Sequence, residues 1–170
     1  AQFPGRAAGP ELPQSRGAGR AARRHPVLAR ARRRRLPLDT INFYFHSEGL
    51  EDNPPLPVSE RNDQTAPAVN PYNYQDHRYD KSRPENLAFL ERFRALLDEY
   101  PATAAVGEVG DSQRGLEVVA AYTSGRRVHM CYAFDFLAPE KITGRKVEKV
   151  LTDFGDKAAD GWSCWAFSNH

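Results

Sequence analysis

From residue 38 onward, the apolar residues follow two periods along the chain. A helical spacing predicts a helix that has Ser82 as its expected cap and ends at Pro101, with apolar positions at Leu87, Leu90, Phe93, Leu96 and Leu97. Shorter helices are predicted over Leu116–Tyr122 and Lys141–Phe154. Apolar runs between these helices predict buried strands at Ala102–Gly107, Val128–Phe134 and Trp162–Phe167, after a first strand that ends near Leu38. Such regular alternation is typical of an α/β protein with a parallel sheet or barrel.

Residues 51–84 interrupt this alternation. They contain six prolines, with Asn, Asp and Tyr between them, which predicts a long loop. A loop of this length inside a domain is usually functional or disordered. The tyrosines and His77 favour a structured loop that lines a site.

The chain has 170 residues, whereas a complete (β/α)8 barrel needs about 250. We therefore expect only part of a barrel. No run of 18 or more apolar residues suggests a membrane span, and no membrane partner is expected. Two cysteines, Cys131 and Cys164, are too few for a disulfide framework, so we expect free thiols and a cytoplasmic location.

Charge divides the chain in two. Residues 1–37 carry ten arginines and one acid, Glu11, whereas residues 38–170 carry fourteen basic and twenty-one acidic side chains. We expect the arginine-rich segment, 1–37, to be disordered and 38–170 to form the folded domain. Basic arms of this kind occur in transit peptides and in nucleic-acid-binding proteins, so the alternative function is a nucleic-acid-binding protein with a small α/β domain. The aromatic residues lie mainly in the acidic part, which argues against that alternative.

Polar residues follow three of the predicted strands. Asp39, Glu108 and the pair Asn169–His170 each come directly after an apolar run. Each alone has a structural explanation, as a turn residue or as a solvated side chain. Active sites of (β/α)8 barrels lie at the carboxyl ends of the strands, so together these residues indicate a site.

These segments resemble the alpha-amylase family (glycoside hydrolase family thirteen). Leu38–Asn42 is similar to its second conserved region, Gly107–Val109 to its third and Phe167–His170 to the start of its fourth. Asn42–His46 and Gln75–Lys81 are similar to the alpha-glucosidase and oligo-1,6-glucosidase branch. The resemblance covers residues 38–170. It implies a partial (β/α)8 TIM barrel, roughly strands four to seven, in a retaining hydrolase that releases alpha-linked glucose from oligosaccharides.

The resemblance also assigns roles. Asp39 is the expected nucleophile and Glu108 the acid/base, because a retaining glycosidase needs two carboxyl groups about 5–5.5 Å apart. His170 is expected to hydrogen-bond the sugar, Phe134 to wall the binding site and Thr40 to influence linkage preference. No cofactor, metal or nucleic acid is expected. A glucan-binding module without catalysis remains an alternative within the carbohydrate field.

Two departures from the family pattern affect the prediction. Pro37 stands where the family has an arginine two residues before the nucleophile, and the third catalytic carboxylate is not among the residues. We therefore expect this chain to be an inactive fragment. Codons compatible with Arg32–Pro37, read one base later, give Val-Asp-Gly-Phe and the start of Arg, which is the family's approach to the nucleophile. This suggests that residues 1–37 are translated out of frame.

Overall fold

The computed structural model describes residues 35–61, 69–111, 113–137, 141–158 and 160–168. All of them fall within one of the chain's two contact units, Arg33–His170. The predicted segment 1–37 therefore lies outside the described residues, except for its last three positions.

The described residues form a sheet of four parallel strands in the order β1-β2-β3-β4. The strands are β1 (Arg35–Leu38), β2 (Ala104–Glu108), β3 (Met130–Ala133) and β4 (Ser163–Trp165). Three helices connect successive strands: α1 (Glu85–Asp98), α2 (Gly115–Thr123) and α3 (Gly144–Lys157). The predicted α/β class and the order of elements are confirmed.

The strand β1 begins three residues before the predicted domain boundary. Leu36 pairs with Ala105 and Pro37 with Val106 in the parallel ladder. Among the described strands, β1 pairs with β2 alone and so lies at the sheet edge, where proline is tolerated because one side of the strand needs no donor. Residues 35–37 are thus part of the described sheet, whereas the predicted domain begins at residue 38.

Helix α1 begins differently from the prediction. Pro84 is its N-cap residue, and no side chain caps the helix. Ser82, the predicted cap, instead has a positive φ of 53°, and its hydroxyl donates to Asp111 Oδ2 at 3.4 Å. The start of α1 is therefore held by a contact with the turn after β2, and the prediction of Ser82 as a cap was wrong.

The two faces of the sheet are buried to different degrees. On the face covered by the helices, Ala105, Cys131 and Ala133 are buried and pack with Leu90 and Val119 of the helices in one apolar core. On the opposite face, alternate residues such as Val106 and Tyr132 are only partly buried. Parallel sheets are normally covered on both faces. Within the described residues, the helices cover only one face of this sheet.

The described part of the long loop is ordered by polar contacts, as predicted. His77 is 7% exposed, its ring stacks on Tyr72 at 3.8 Å, and its Nδ1 lies 3.0 Å from Asp80 Oδ1. An isolated antiparallel bridge joins Pro55 to Gln75. These contacts fold the loop back on itself over the carboxyl ends of the strands, where Lys81 and Ser82 reach the turn after β2.

Candidate active site

The register of β1 and β2 places the two candidate catalytic carboxylates side by side. Leu38 pairs with Gly107 at the end of the ladder, so the next residues, Asp39 and Glu108, occupy the same level on adjacent strands. Neighbouring strands lie about 4.8 Å apart, so the backbones of these two residues are neighbours at the carboxyl edge of the sheet. Asp39 is exposed and Glu108 is half-buried, so both side chains can be reached from solvent.

Glu108 has a partner on the next strand that sequence reasoning missed. Tyr132 pairs with Glu108 in the β2–β3 register, and its phenol donates a hydrogen bond to Glu108 Oε2 at 3.0 Å. Burial raises the pKa of the Tyr132 phenol to about 12, and the hydrogen bond to Glu108 and the charges of Glu108 and Asp39 add to this rise. The alternation of side chains along the predicted strand 128–134 was the one available signal.

The chain turns sharply after Asp39. Thr40 adopts a left-handed conformation, with φ 44° and ψ 46°, and a short 3-10 helix, Ile41–Phe43, follows directly. Thr40 is exposed and borders Asp39. Burial raises the pKa of the Tyr44 phenol, and the charge of Asp39 adds to this rise. The turn therefore places Thr40 and Tyr44 in the electrostatic surroundings of Asp39.

Asn42 joins the turn after β1 to the turn after β2. Its amide nitrogen donates to the Gly110 carbonyl at 3.2 Å, and its amide oxygen accepts from the Gly110 N–H at 3.1 Å. Asn42 is 1% exposed and its own carbonyl accepts from the Ser82 N–H at 2.6 Å. Asn42 lies three residues after Asp39, and Gly110 lies two residues after Glu108. This pair of bonds therefore fixes the turn that follows Asp39 relative to the turn that follows Glu108.

A buried ion pair fastens the long loop to the same turn. Lys81 Nζ lies 3.7 Å from Asp111 Oδ2, with the two side chains 7% and 1% exposed. Burial lowers the pKa of the Lys81 ammonium, and the charge of Asp111 opposes this fall. The other oxygen of Asp111 accepts from the backbone N–H groups of Gln113 and Arg114, at 3.0 and 2.8 Å. Asp111 thus holds both the loop and the approach to α2.

Aromatic rings flank the turn after β2. Phe134, directly after β3, is half-buried and lies 6.4 Å from the Tyr132 ring. A Cβ on Gly110 would lie 3.5 Å from the Phe43 ring and 4.0 Å from the Phe134 ring, so both rings lie next to this glycine. Phe134 also lines a cavity of about 230 Å³ together with Asp111 and Asp135. Burial raises the pKa of Asp135.

The remaining predicted site residue, His170, lies outside the described residues, as does Asn169. In the described part of the chain, no group of three or more His, Cys, Asp or Glu side chains is arranged to hold a metal ion. Nor does any helix in that part combine the length and apolar character that a bilayer span requires.

Comparison with known proteins gives close relatives for this arrangement. No family model matches the chain. A curated protein of Rhizobium meliloti (strain 1021), named "Probable alpha-glucosidase", is 68% identical over 134 residues, which are 78% of this chain and 24% of that protein. The chain therefore spans about a quarter of the length of the curated relative that it matches.

Solved structures are similar over the same fold. The alpha-glucosyl transfer enzyme XgtA is 35% identical, with a TM-score of 0.82 over 92% of this chain and 29% of that chain. Trehalulose synthase MutB is 14% identical, with a TM-score of 0.59 over 92% of this chain and 27% of its own. The trehalose-6-phosphate hydrolase of Bacillus licheniformis is 17% identical, with a TM-score of 0.55 over 86% of this chain and 25% of that chain. The last two similarities show the fold alone.

Proposed function

Since the chain belongs to the alpha-glucosidase branch of the alpha-amylase family, we propose that it is part of a retaining glycoside hydrolase that releases alpha-linked glucose from oligosaccharides. Membership of the family and a partial (β/α)8 barrel were both predicted from the motifs, and both are confirmed. The observation that supports the activity most strongly is the register of Leu38 with Gly107, which brings Asp39 and Glu108 to one level.

The proposed reaction uses these two carboxyl groups in two steps. An oxygen of Asp39 forms a bond to the anomeric carbon while the bond from that carbon to the leaving oxygen breaks, and Glu108 gives its proton to the leaving oxygen. Water then attacks the same carbon from the opposite side, Glu108 takes a proton from the water, and Asp39 is released as a carboxylate. Two displacements at one carbon retain the configuration of the sugar.

We propose that the neighbouring side chains shape the sugar site. Phe134 offers an apolar ring at the carboxyl end of β3, and sugar rings present apolar faces to such side chains. Thr40 borders the nucleophile on an exposed turn, a position from which it can select the linkage of the substrate. By family resemblance His170 donates a hydrogen bond to the sugar, and the substrate is an alpha-glucoside oligosaccharide.

We propose that the 170-residue chain alone is inactive. It spans 24% of its curated relative and 29% of XgtA, and its described residues leave one sheet face without a helical cover. The position two residues before Asp39 is Pro37, which offers neither charge nor hydrogen-bond donor to the nucleophile. A sugar would therefore meet two carboxyl groups without the rest of a binding site.

A chimera tests the proposal. In the chimera, residues 38–170 of this chain replace the homologous segment of the Rhizobium meliloti relative. The relative supplies the remaining barrel and the residues before position 38. We expect the chimera to hydrolyse a chromogenic alpha-glucoside and the isolated chain not to. Glu108→Gln should lower kcat/KM by about a hundredfold or more, the usual contribution of general acid catalysis.

Asp52→Asn, a change of the same kind on an exposed loop residue, is the matched control and should leave the rate unchanged. Equal loss in both variants, or full activity of Glu108→Gln, would show that Glu108 has no catalytic role.

We further propose that residues before position 38 are translated out of frame. The curated relative matches 134 residues, which are 78% of this chain, and Pro37 stands where the family has an arginine. Sequencing the coding DNA decides the matter, because stop codons or unrelated residues in the shifted frame would refute it.

The free thiols of Cys131 and Cys164 suit a reducing compartment, so we propose the cytoplasm as the location.

A further inference from the structure

Tyr132 occupies an unusual place beside the proposed acid/base. Its ring lies on the less covered face of the sheet, in register with Glu108 on β2 and with Cys164 on β4. The phenol donates to Glu108 Oε2 at 3.0 Å. Within the described residues, no other side-chain donor contacts Glu108 at hydrogen-bond distance.

The strand order shows from which side the Tyr132 phenol reaches Glu108. Glu108 lies on β2, between Asp39, which follows β1, and Tyr132 on β3. The phenol therefore binds Oε2 from the β3 side, whereas Asp39, and with it the scissile bond of the proposed reaction, lies on the β1 side. A carboxyl group without this bond could rotate about its terminal torsion, which has a broad energy minimum.

We propose that Tyr132 is a positioning residue for the acid/base, which holds Glu108 so that its free oxygen faces the leaving group. The inference rests on the proposed function, because the role has meaning only if Glu108 transfers a proton. Among the residues that the structure describes, the titratable groups next to Glu108 are Asp39, from the turn after β1, and Tyr132, and Cys164 lies beyond Tyr132. A phenylalanine at position 132 would keep the packing and lose only the hydroxyl.

The contact itself is tested in the 170-residue chain, without any activity. Tyrosine labelled with ¹³C at Cζ gives one NMR signal per residue, and Tyr132→Phe identifies the signal of Tyr132. Its pKa, raised to about 12 by burial first and then by Glu108 and Asp39, should fall in Glu108→Gln, because the variant lacks the negative charge of Glu108, but should stay above 10, because the burial remains. Glu117→Gln, on the helix α2, should leave it unchanged. An unaltered Tyr132 titration in Glu108→Gln would overturn the inference.

The consequence is tested in the chimera described above. Tyr132→Phe should lower kcat about tenfold with little change in KM, the size expected for one hydrogen bond to a charged group. The loss should be much smaller for an alpha-glucosyl fluoride, because its leaving group needs no proton from Glu108. A merely structural role for the hydroxyl would lower kcat for both substrates alike.

Tyr100→Phe, at the opposite end of the sheet from Glu108, is the control and should show wild-type kinetics. Normal kcat in Tyr132→Phe, or an equal loss with the glucosyl fluoride, would refute the positioning role while leaving the glucosidase proposal intact. An inactive parent chimera would refute both, whereas the NMR titration would still report on the contact between the two side chains.

Discussion

The helix-covered face of the sheet and its carboxyl edge are built by different forces. The covered face is a continuous apolar core that joins Leu90 and Val119 of the helices to Ala105 and Cys131 of the strands. The carboxyl edge is held by polar bonds between distant residues, such as those of Asn42 with Gly110, 68 positions apart. Core packing therefore sets the stability of this molecule, and a few directed bonds set the geometry of its candidate site.

The largest effect on stability is expected from a cavity in the covered face. Leu90 is fully buried in the core, so Leu90→Ala should lower the free energy of unfolding of the chain by about 3 kcal/mol, as is usual for such a truncation. Leu151→Ala on helix α3, where the side chain is 47% exposed, is the control and should cost less than about 0.5 kcal/mol. Urea unfolding followed by circular dichroism measures both, and equal losses would contradict the proposed core.

Alkaline pH should lower the free energy of unfolding through a buried group on the same face of the sheet. Burial raises the pKa of the Cys131 thiol from 9.0 to about 12, so the unfolded chain loses this proton first as the pH rises. The stabilisation is complete below pH 9 and is lost progressively toward pH 12. Between pH 9 and 11 the unfolding free energy should fall by about 2 kcal/mol from this group.

The matched test of the alkaline effect is Cys131→Ala. Its unfolding free energy should vary less steeply with pH between 9 and 11 than that of the wild type, whatever its value at pH 7. Tyr122, whose pKa burial raises to about 12, adds a smaller decline above pH 10 in both proteins. Parallel pH curves for wild type and variant would show that the thiol is not protected by burial.

An effect of similar size on stability is expected at the carboxyl edge. Asn42→Ala removes both side-chain bonds to Gly110 and leaves a buried N–H and C=O unpaired, which should cost about 2 kcal/mol. The Gly110 amide should also exchange its hydrogen faster in the variant, which NMR measures directly. Asn42→Asp keeps the acceptor for that amide and is the control. If the Gly110 amide exchanges at the wild-type rate in Asn42→Ala, the bonds that join the two turns are not formed.

The same contrast separates what the sequence could predict from what it could not. Helical and strand periods in residues 38–170 predicted the helices α1 to α3 and the strands β2 to β4 within a few residues, because burial on one face leaves a period in the sequence. The short 3-10 helix Ile41–Phe43 was not predicted. Family motifs pointed to Asp39 and Glu108. The residues around Tyr132 and Lys81 in the sequence do not identify their partners. Strand register brings Glu108 next to Tyr132, and the folding of the long loop brings Lys81 next to Asp111.

The most direct test of the proposed carboxylate pair is to identify the residue that becomes glycosylated. A fluorinated alpha-glucosyl fluoride, which slows the second step, is incubated with the active chimera, and the labelled peptide is sequenced by mass spectrometry. Our account predicts one sugar per protein, bound to Asp39, with no labelling of the Asp39→Asn variant. A sugar bound to another residue, or turnover with no covalent intermediate and with inversion of configuration, would contradict it.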